Sequence, residues 1–175
     1  NRIPVWSGDG RRVAFQSDQD GDLAIWWQAA DVSGAGAERL TKPEPGTAHI
    51  PESWSRTDDL LSFSAVQGTT TLWTLSLRDR KASQFGNVRS PSPLNSEFSP
   101  DGKWIAYTLR EGVIAVFVEP FPSTGDKVQI SKVEENAHHS VWSRDGTTLF
   151  YIPGADPLVG VTIATRPFTV GNPRP

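Results

Sequence analysis

Cysteine is absent from the 175 residues, so disulfides, thiolate metal sites and cysteine nucleophiles are excluded. The compartment stays open, because oxidising and reducing locations both tolerate a cysteine-free chain. Methionine is also absent, even at position 1, and the sequence reads as a piece of a longer chain. Large net charge is missing too: 17 basic and 20 acidic side chains leave a formal charge of −3. That balance supplies no basic field for nucleic acid. No apolar run approaches the roughly 18 residues of a membrane helix, so no membrane insertion is expected. No signal peptide is read, since residues 1–5 already carry a strand pattern.

What is present points to β-structure. There are seven tryptophans and eight phenylalanines, and 15 Gly with 14 Pro make about one residue in six a turn-former. Many turns with large aromatics are the mark of an all-β chain.

One segment occurs four times. Val5-Trp6-Ser7-Gly8-Asp9-Gly10 precedes the strand at 11–15, and Ser53-Trp54-Ser55-Arg56-Thr57-Asp58 precedes the strand at 59–63. Glu97-Phe98-Ser99-Pro100-Asp101-Gly102 precedes 103–107, and Val141-Trp142-Ser143-Arg144-Asp145-Gly146 precedes 147–151. The anchor aromatics Trp6, Trp54, Phe98 and Trp142 are spaced by 48, 44 and 44 residues. A second aromatic follows each anchor by nine positions: Phe15, Phe63, Tyr107 and Tyr151. Repeats of about 40–50 residues with room for four short strands predict propeller blades.

In each blade strand A ends at the anchor and strand B carries the second aromatic. Strand C lies at 23–27, 71–77, 113–118 and 158–164, and strand D at 38–41, 82–85 and 128–131. The fourth D strand reads as missing or begun only at 173–175. The blades are therefore placed at about 3–41, 50–86, 95–131 and 139–175, in one propeller region spanning 1–175. The anchors are expected to fill the space between adjacent blades. Gly10, Gly102 and Gly146 sit where an A–B hairpin needs positive φ, and Asp58 takes that place in the second copy. Asp9, Asp101 and Asp145 belong to the same structural repeat, and the serines after the anchors are read as structural hydrogen-bonders.

The pattern aromatic-Ser-x-Asp-Gly, closing on Glu38-Arg39-Leu40-Thr41, resembles the TolB-type (WD-like) β-propeller repeat over residues 3–165. Val118-Glu119-Pro120-Phe121-Pro122, with 125–131 and 141–151, is similar to the last blades of propellers that follow bacterial serine/threonine kinase domains. The family includes periplasmic binding proteins, peptidase propellers and sensor domains. The resemblance thus implies a bacterial, extracytoplasmic binding or interaction module, non-enzymatic in itself. The alternative is the propeller of a larger kinase or prolyl-oligopeptidase-type hydrolase. No glycine-rich loop, His-Arg-Asp or Asp-Phe-Gly occurs, so such catalysis would lie elsewhere. About four blades are at the lower limit for a ring. Either more blades belong to the ring or two copies close it as a homodimer.

Strand A runs to one end and B returns, so the B–C and D–A loops share a face. That face is expected to hold the ligand site at the channel mouth, for a protein segment or small ligand. The D–A loops carry His49 and then Glu134, Glu135, His138 and His139; the B–C loops carry 18–22, Gln67, Arg110 and Asp156. The three histidines with Glu134 or Glu135 could bind a metal. Against this, His138 and His139 are adjacent, and successive strand side chains point apart. Asp18, Asp20 and Asp22 have the oxygen chemistry of a calcium site but not the spacing of an EF-hand, and a solvated turn competes with that assignment. No other cofactor is expected. No Gly-x-Ser-x-Gly elbow occurs, and no catalytic residue is assigned.

Overall fold

The structure is a computed structural model describing residues 1–31, 36–57, 59–132, 135–155, 157–165 and 168–174. Asp58, Glu134 and Asp156 lie outside the described residues, so the conformation expected of Asp58 and the roles considered for the other two are not addressed.

The chain folds as four four-stranded antiparallel sheets, each built from strands consecutive in sequence. Blade 1 holds β1 (Arg2–Trp6), β2 (Arg12–Ser17), β3 (Ala24–Ala29) and β4 (Glu38–Arg39). Blade 2 holds β5 (Ala48–Trp54), β6 (Leu60–Gln67), β7 (Thr69–Ser76) and β8 (Ala82–Ser90). Blade 3 holds β9 (Glu97–Phe98), β10 (Trp104–Glu111), β11 (Val113–Pro120) and β12 (Val128–Gln129). Blade 4 holds β13 (Ala137–Trp142), β14 (Thr148–Pro153), β15 (Val159–Thr165) and β16 (Phe168–Val170). The innermost strands pack in succession, β1 on β5, β5 on β9 and β9 on β13. This is the all-β propeller that the repeat predicts.

The fourth D strand corrects the sequence reading. It is present as β16, paired with β15 through Ile163↔Val170, Ala164↔Thr169 and Thr165↔Phe168. Its only large ring, Phe168, sits 4.4 Å from Trp104 of blade 3, so a contact outside its own blade holds it. A three-residue strand has too short a period to announce itself.

The A–B turns show why Ser-x-Asp-Gly recurs. Ser7, Ser99 and Ser143 each donate their hydroxyl to the aspartate two residues on, at 2.6 Å to Asp9, Asp101 and Asp145. Each hydroxyl also accepts the first amide of strand B, from Arg12 at 2.9 Å, Trp104 at 3.0 Å and Thr148 at 2.9 Å. The aspartates accept the amides of Arg11, Lys103 and Thr147 in turn. Gly10, Gly102 and Gly146 end these turns at φ 69°, 70° and 73°, where a Cβ is disfavoured. The Ser143 hydroxyl, with Thr147, holds the Asp145 carboxyl down at about 2.

Three anchors are inter-blade wedges. Trp54 shares a core cluster with Ala14, Ile25 and Leu40 of blade 1. Phe98 clusters with Leu72, Phe85 and Val88 of blade 2, and Trp142 with Ala106, Val116, Val118 and Ile130 of blade 3. Each anchor is thus buried against the blade before it. Trp6, the anchor of the first described blade, is 59% exposed, which departs from the expectation for all four.

Candidate functional site: a groove along the innermost strands

The four A strands line one groove of about 1160 Å³. The residue three positions before each anchor contributes in every blade: Ile3, Pro51, Asn95 and His139. At this point the chain leaves the strand conformation. Ile3, Asn95 and His139 have φ of 54°, 47° and 53°. The register of β1, β5 and β13 also shifts here, between Arg2 and Val5, Pro51 and Ser53, and His138 and Val141. A positive φ at β-branched Ile3 is strained, and Pro51 cannot adopt it at all. The bulge re-aims the next side chains, a common use of bulges near binding sites.

Polar groups, with Ser53 buried and Glu52 and Glu97 half-buried, tie neighbouring A strands together. The Glu52 carboxylate accepts the Ser96 amide at 2.7 Å and the Ser64 hydroxyl. Ser53 Oγ accepts the Phe98 amide at 3.0 Å, and Glu97 Oε2 accepts the Trp142 amide at 2.9 Å. Burial raises both carboxyls, Glu97 to about 7, with Arg56 pulling Glu97 back weakly. At one end of the groove stand Arg56 and Arg144, each two residues past an anchor and each exposed. Among the described residues neither guanidinium has an ion-pair partner. Elsewhere the groove walls include the exposed apolar side chains of Ile3, Trp6 and Val141.

Of the side chains chosen from sequence, His139 lines this groove. The histidines are not in loops, as expected, but in the A strands β5 and β13, because in these two blades pairing with strand B reaches back to Ala48 and Ala137, well before the anchors. His49 packs on Phe63 with ring centres 4.9 Å apart, and burial lowers its pKa to about 4 despite nearby Asp22. His138 and His139 do not point apart. The positive φ of His139 swings its ring back, and the two Nδ1 atoms lie 2.7 Å apart in a hydrogen bond. Glu135 accepts the Tyr151 hydroxyl at 2.9 Å and the Lys132 amide at 3.1 Å. Arg110 is exposed near the end of β10, its amide bonded to Ser90 Oγ at 3.3 Å.

The loop at 18–22 is closed by a cation of the chain itself. Arg39 bonds Asp20 at 3.1 Å and Asp22 at 2.5 Å, which raises the Arg39 pKa further; Asp18 takes no part in this pair. Among the described residues no three His, Asp or Glu side chains converge as metal ligands would. Sequence reasoning missed Glu52, Glu97, Arg56 and Arg144. The usable signal was register with the anchors: arginine at the second position after the anchor occurs in two blades.

No protein-family model and no curated protein matches the chain. Its fold is similar to that of TolB from Acinetobacter baumannii, with TM-score 0.76 and 20% identity over 97% of this chain and 42% of that one. The TolB candidate from Agrobacterium tumefaciens matches with TM-score 0.78 and 16% identity, covering 99% of this chain and 64% of the other. A puromycin-hydrolyzing peptidase of Mycobacterium tuberculosis matches with TM-score 0.66 and 16% identity, over 95% of this chain and 27% of that one. The chain therefore has the TolB-like β-propeller fold and spans less than two thirds of the length of these structures.

Proposed function

We propose that the chain is a binding module that receives an extended, acidic protein segment in the groove, without catalysis of its own. The observation that carries this is the pair Arg56 and Arg144, unpaired among the described residues, at the end of a groove walled by exposed Ile3, Trp6 and Val141. Cations without an ion pair among the described residues are available to a carboxylate, although Arg56 also feels the Glu97 charge, and exposed apolar side chains in the same groove suit the aliphatic or aromatic residues of the same segment. The neighbouring carboxylates serve packing: Glu52 and Glu97 are occupied by amides of the next blade. The turn serines are likewise occupied, by aspartate and main chain.

A dye-labelled peptide of alternating Glu and Leu tests this by fluorescence anisotropy. Saturable binding that weakens with salt, and falls by about tenfold or more in Arg56→Ala/Arg144→Ala, is expected. Absence of saturable binding, or an affinity unchanged in the double variant, overturns it. The likeness to a peptidase over 27% of that chain favours a second reading, in which the same groove belongs to the propeller of a larger enzyme. Catalytic motifs elsewhere in the full-length gene would establish that.

A further inference from the structure

Five charged or titratable side chains line the groove among the described residues: Glu52, Arg56, Glu97, His139 and Arg144. The two arginines keep their charge at any ordinary pH. With both carboxylates ionised and His139 neutral, the groove therefore holds two charges of each sign and offers an acidic segment no net attraction. Each proton the groove takes up tips that balance towards positive. Burial holds the Glu97 carboxyl up at about 7 against the weak pull of Arg56, and it raises Glu52 in the same direction. Both carboxyls keep their main-chain partners in either state. The Trp142 amide at 2.9 Å and the Ser96 amide at 2.7 Å need only an oxygen that accepts.

His139 does not act alone. Its Nδ1 lies 2.7 Å from Nδ1 of His138, which requires a proton on one nitrogen and a lone pair on the other. A proton added at the free Nε2 of the donating ring leaves that contact in place and gives the pair one positive charge. A second would set two N–H groups against each other. The pair thus accepts a single charge without moving, and the φ of 53° at His139 presents it to the groove. Histidine is the side chain that ordinarily changes charge between about pH 5 and 8. The other titratable groups on the strands packed against β9 and β13 have partners of their own or stand at strand ends. Glu119 on β11 accepts the Tyr107 hydroxyl of β10 at 2.7 Å, Glu111 pairs with Lys127 at 2.5 Å, and Tyr151 of β14 donates to Glu135 at 2.9 Å. On β5 His49 packs against Phe63, and Arg110, exposed near the end of β10, is positive at any pH.

We propose that the groove takes up its acidic segment together with protons, so that the segment is held tightly near pH 6 and weakly near pH 8. This rests on the reading that the groove binds such a segment, and adds what switches the binding on. The segment's own carboxylates, which ordinarily titrate near about 4, stay charged throughout this range, so the change comes from the groove. Linkage is reciprocal: protons favour the segment, and the segment favours protons. One proton taken up per complex changes the affinity by at most about tenfold per pH unit.

Anisotropy of the labelled Glu-Leu peptide at about pH 6 and about pH 8, at constant ionic strength and with a dye that does not titrate between them, tests this. An affinity about fivefold or more higher at the lower pH is expected. In Glu97→Gln the affinity near pH 8 should rise, since the amide side chain keeps an acceptor for Trp142 and loses the charge. His139→Asn removes the histidine charge with a residue that tolerates the left-handed conformation. The double variant Glu97→Gln/His139→Asn should lose most of the pH dependence. Circular dichroism checks that each variant is folded at both pH values. On the unaltered chain, titration calorimetry near pH 7 in buffers of different ionisation enthalpy reads proton exchange directly, and net uptake on binding is expected. Saturable binding that is equal or weaker near pH 6, a pH dependence undiminished in the double variant, or no proton uptake would each overturn the proposal and leave the groove as a binding site. Absence of saturable binding at either pH would overturn the reading beneath it, and the proposal with it.

Discussion

Trp142→Ala removes one wedge between blades while leaving the main-chain tie beside it, since the amide that bonds Glu97 Oε2 at 2.9 Å is retained. The ring is 4% exposed and clusters with Ala106, Val116, Val118 and Ile130 across the joint. Burying such an indole removes on the order of 150–250 Å² from water, which at about 25 cal/mol per Å² is about 4–6 kcal/mol as an upper bound. Large-to-small substitutions in cores give about 3–5 kcal/mol, and that is the loss expected here. The indole N–H meets no acceptor among the described residues, so Trp142→Phe should cost far less, about 1 kcal/mol. Urea unfolding followed by far-ultraviolet circular dichroism reads both, with the slope m checking that unfolding stays two-state. A loss below about 1 kcal/mol for Trp142→Ala, the range of ordinary surface changes, would refute the wedge role.

Two half-buried titrating groups should pull stability in opposite directions with pH. His49 has its folded pKa lowered to about 4, so the unfolded chain binds the extra proton first and stability is lost as pH falls below about 6.5. Comparing urea midpoints of the wild type and His49→Phe, the variant should gain about 1–2 kcal/mol on the wild type between pH 7 and pH 4.5, allowing for solvent screening. Glu97 has its folded pKa raised to about 7, so the native state holds its proton longer and stability falls as pH rises from about 4.5 to 7. Glu97→Gln should therefore stabilise by about 1–2 kcal/mol at pH 8 and by almost nothing near pH 4.5, read by thermal melts at both. Ser99→Ala strips the turn of the group that accepts the Trp104 amide at 3.0 Å, and a loss of about 1–2 kcal/mol in the same urea assay is expected.

The blades were legible because a wedge between sheets demands a large ring at a fixed register. Trp54, Phe98 and Trp142 announce the joint by type and spacing, and Ser-x-Asp-Gly announces the turn by its hydrogen-bond chemistry. The groove was not legible because its shaping feature, the break three residues before each anchor, is a main-chain conformation. Ile3, Pro51, Asn95 and His139 share no side-chain property, and only register against the anchors shows that they are equivalent. The same break defeats the rule of alternating side chains that separated His138 from His139 on paper. The acidic cluster at 18–22 was ambiguous for a different reason. Its counter-charge, Arg39, arrives from β4 through sheet pairing, which nothing local to the loop reveals.

The arrangement of blades makes equivalent tryptophans unequal, and that inequality can be measured directly. Hydroxyl-radical footprinting with mass spectrometry, at high dilution, reports the oxidation rate of Trp6, Trp54 and Trp142 in one experiment. Trp54 and Trp142, 7% and 4% exposed, should oxidise far more slowly than Trp6 at 59%, and all three should become equally reactive in urea. Trp142 or Trp54 reacting as fast as Trp6 in the native chain would contradict the stacking of blade on blade.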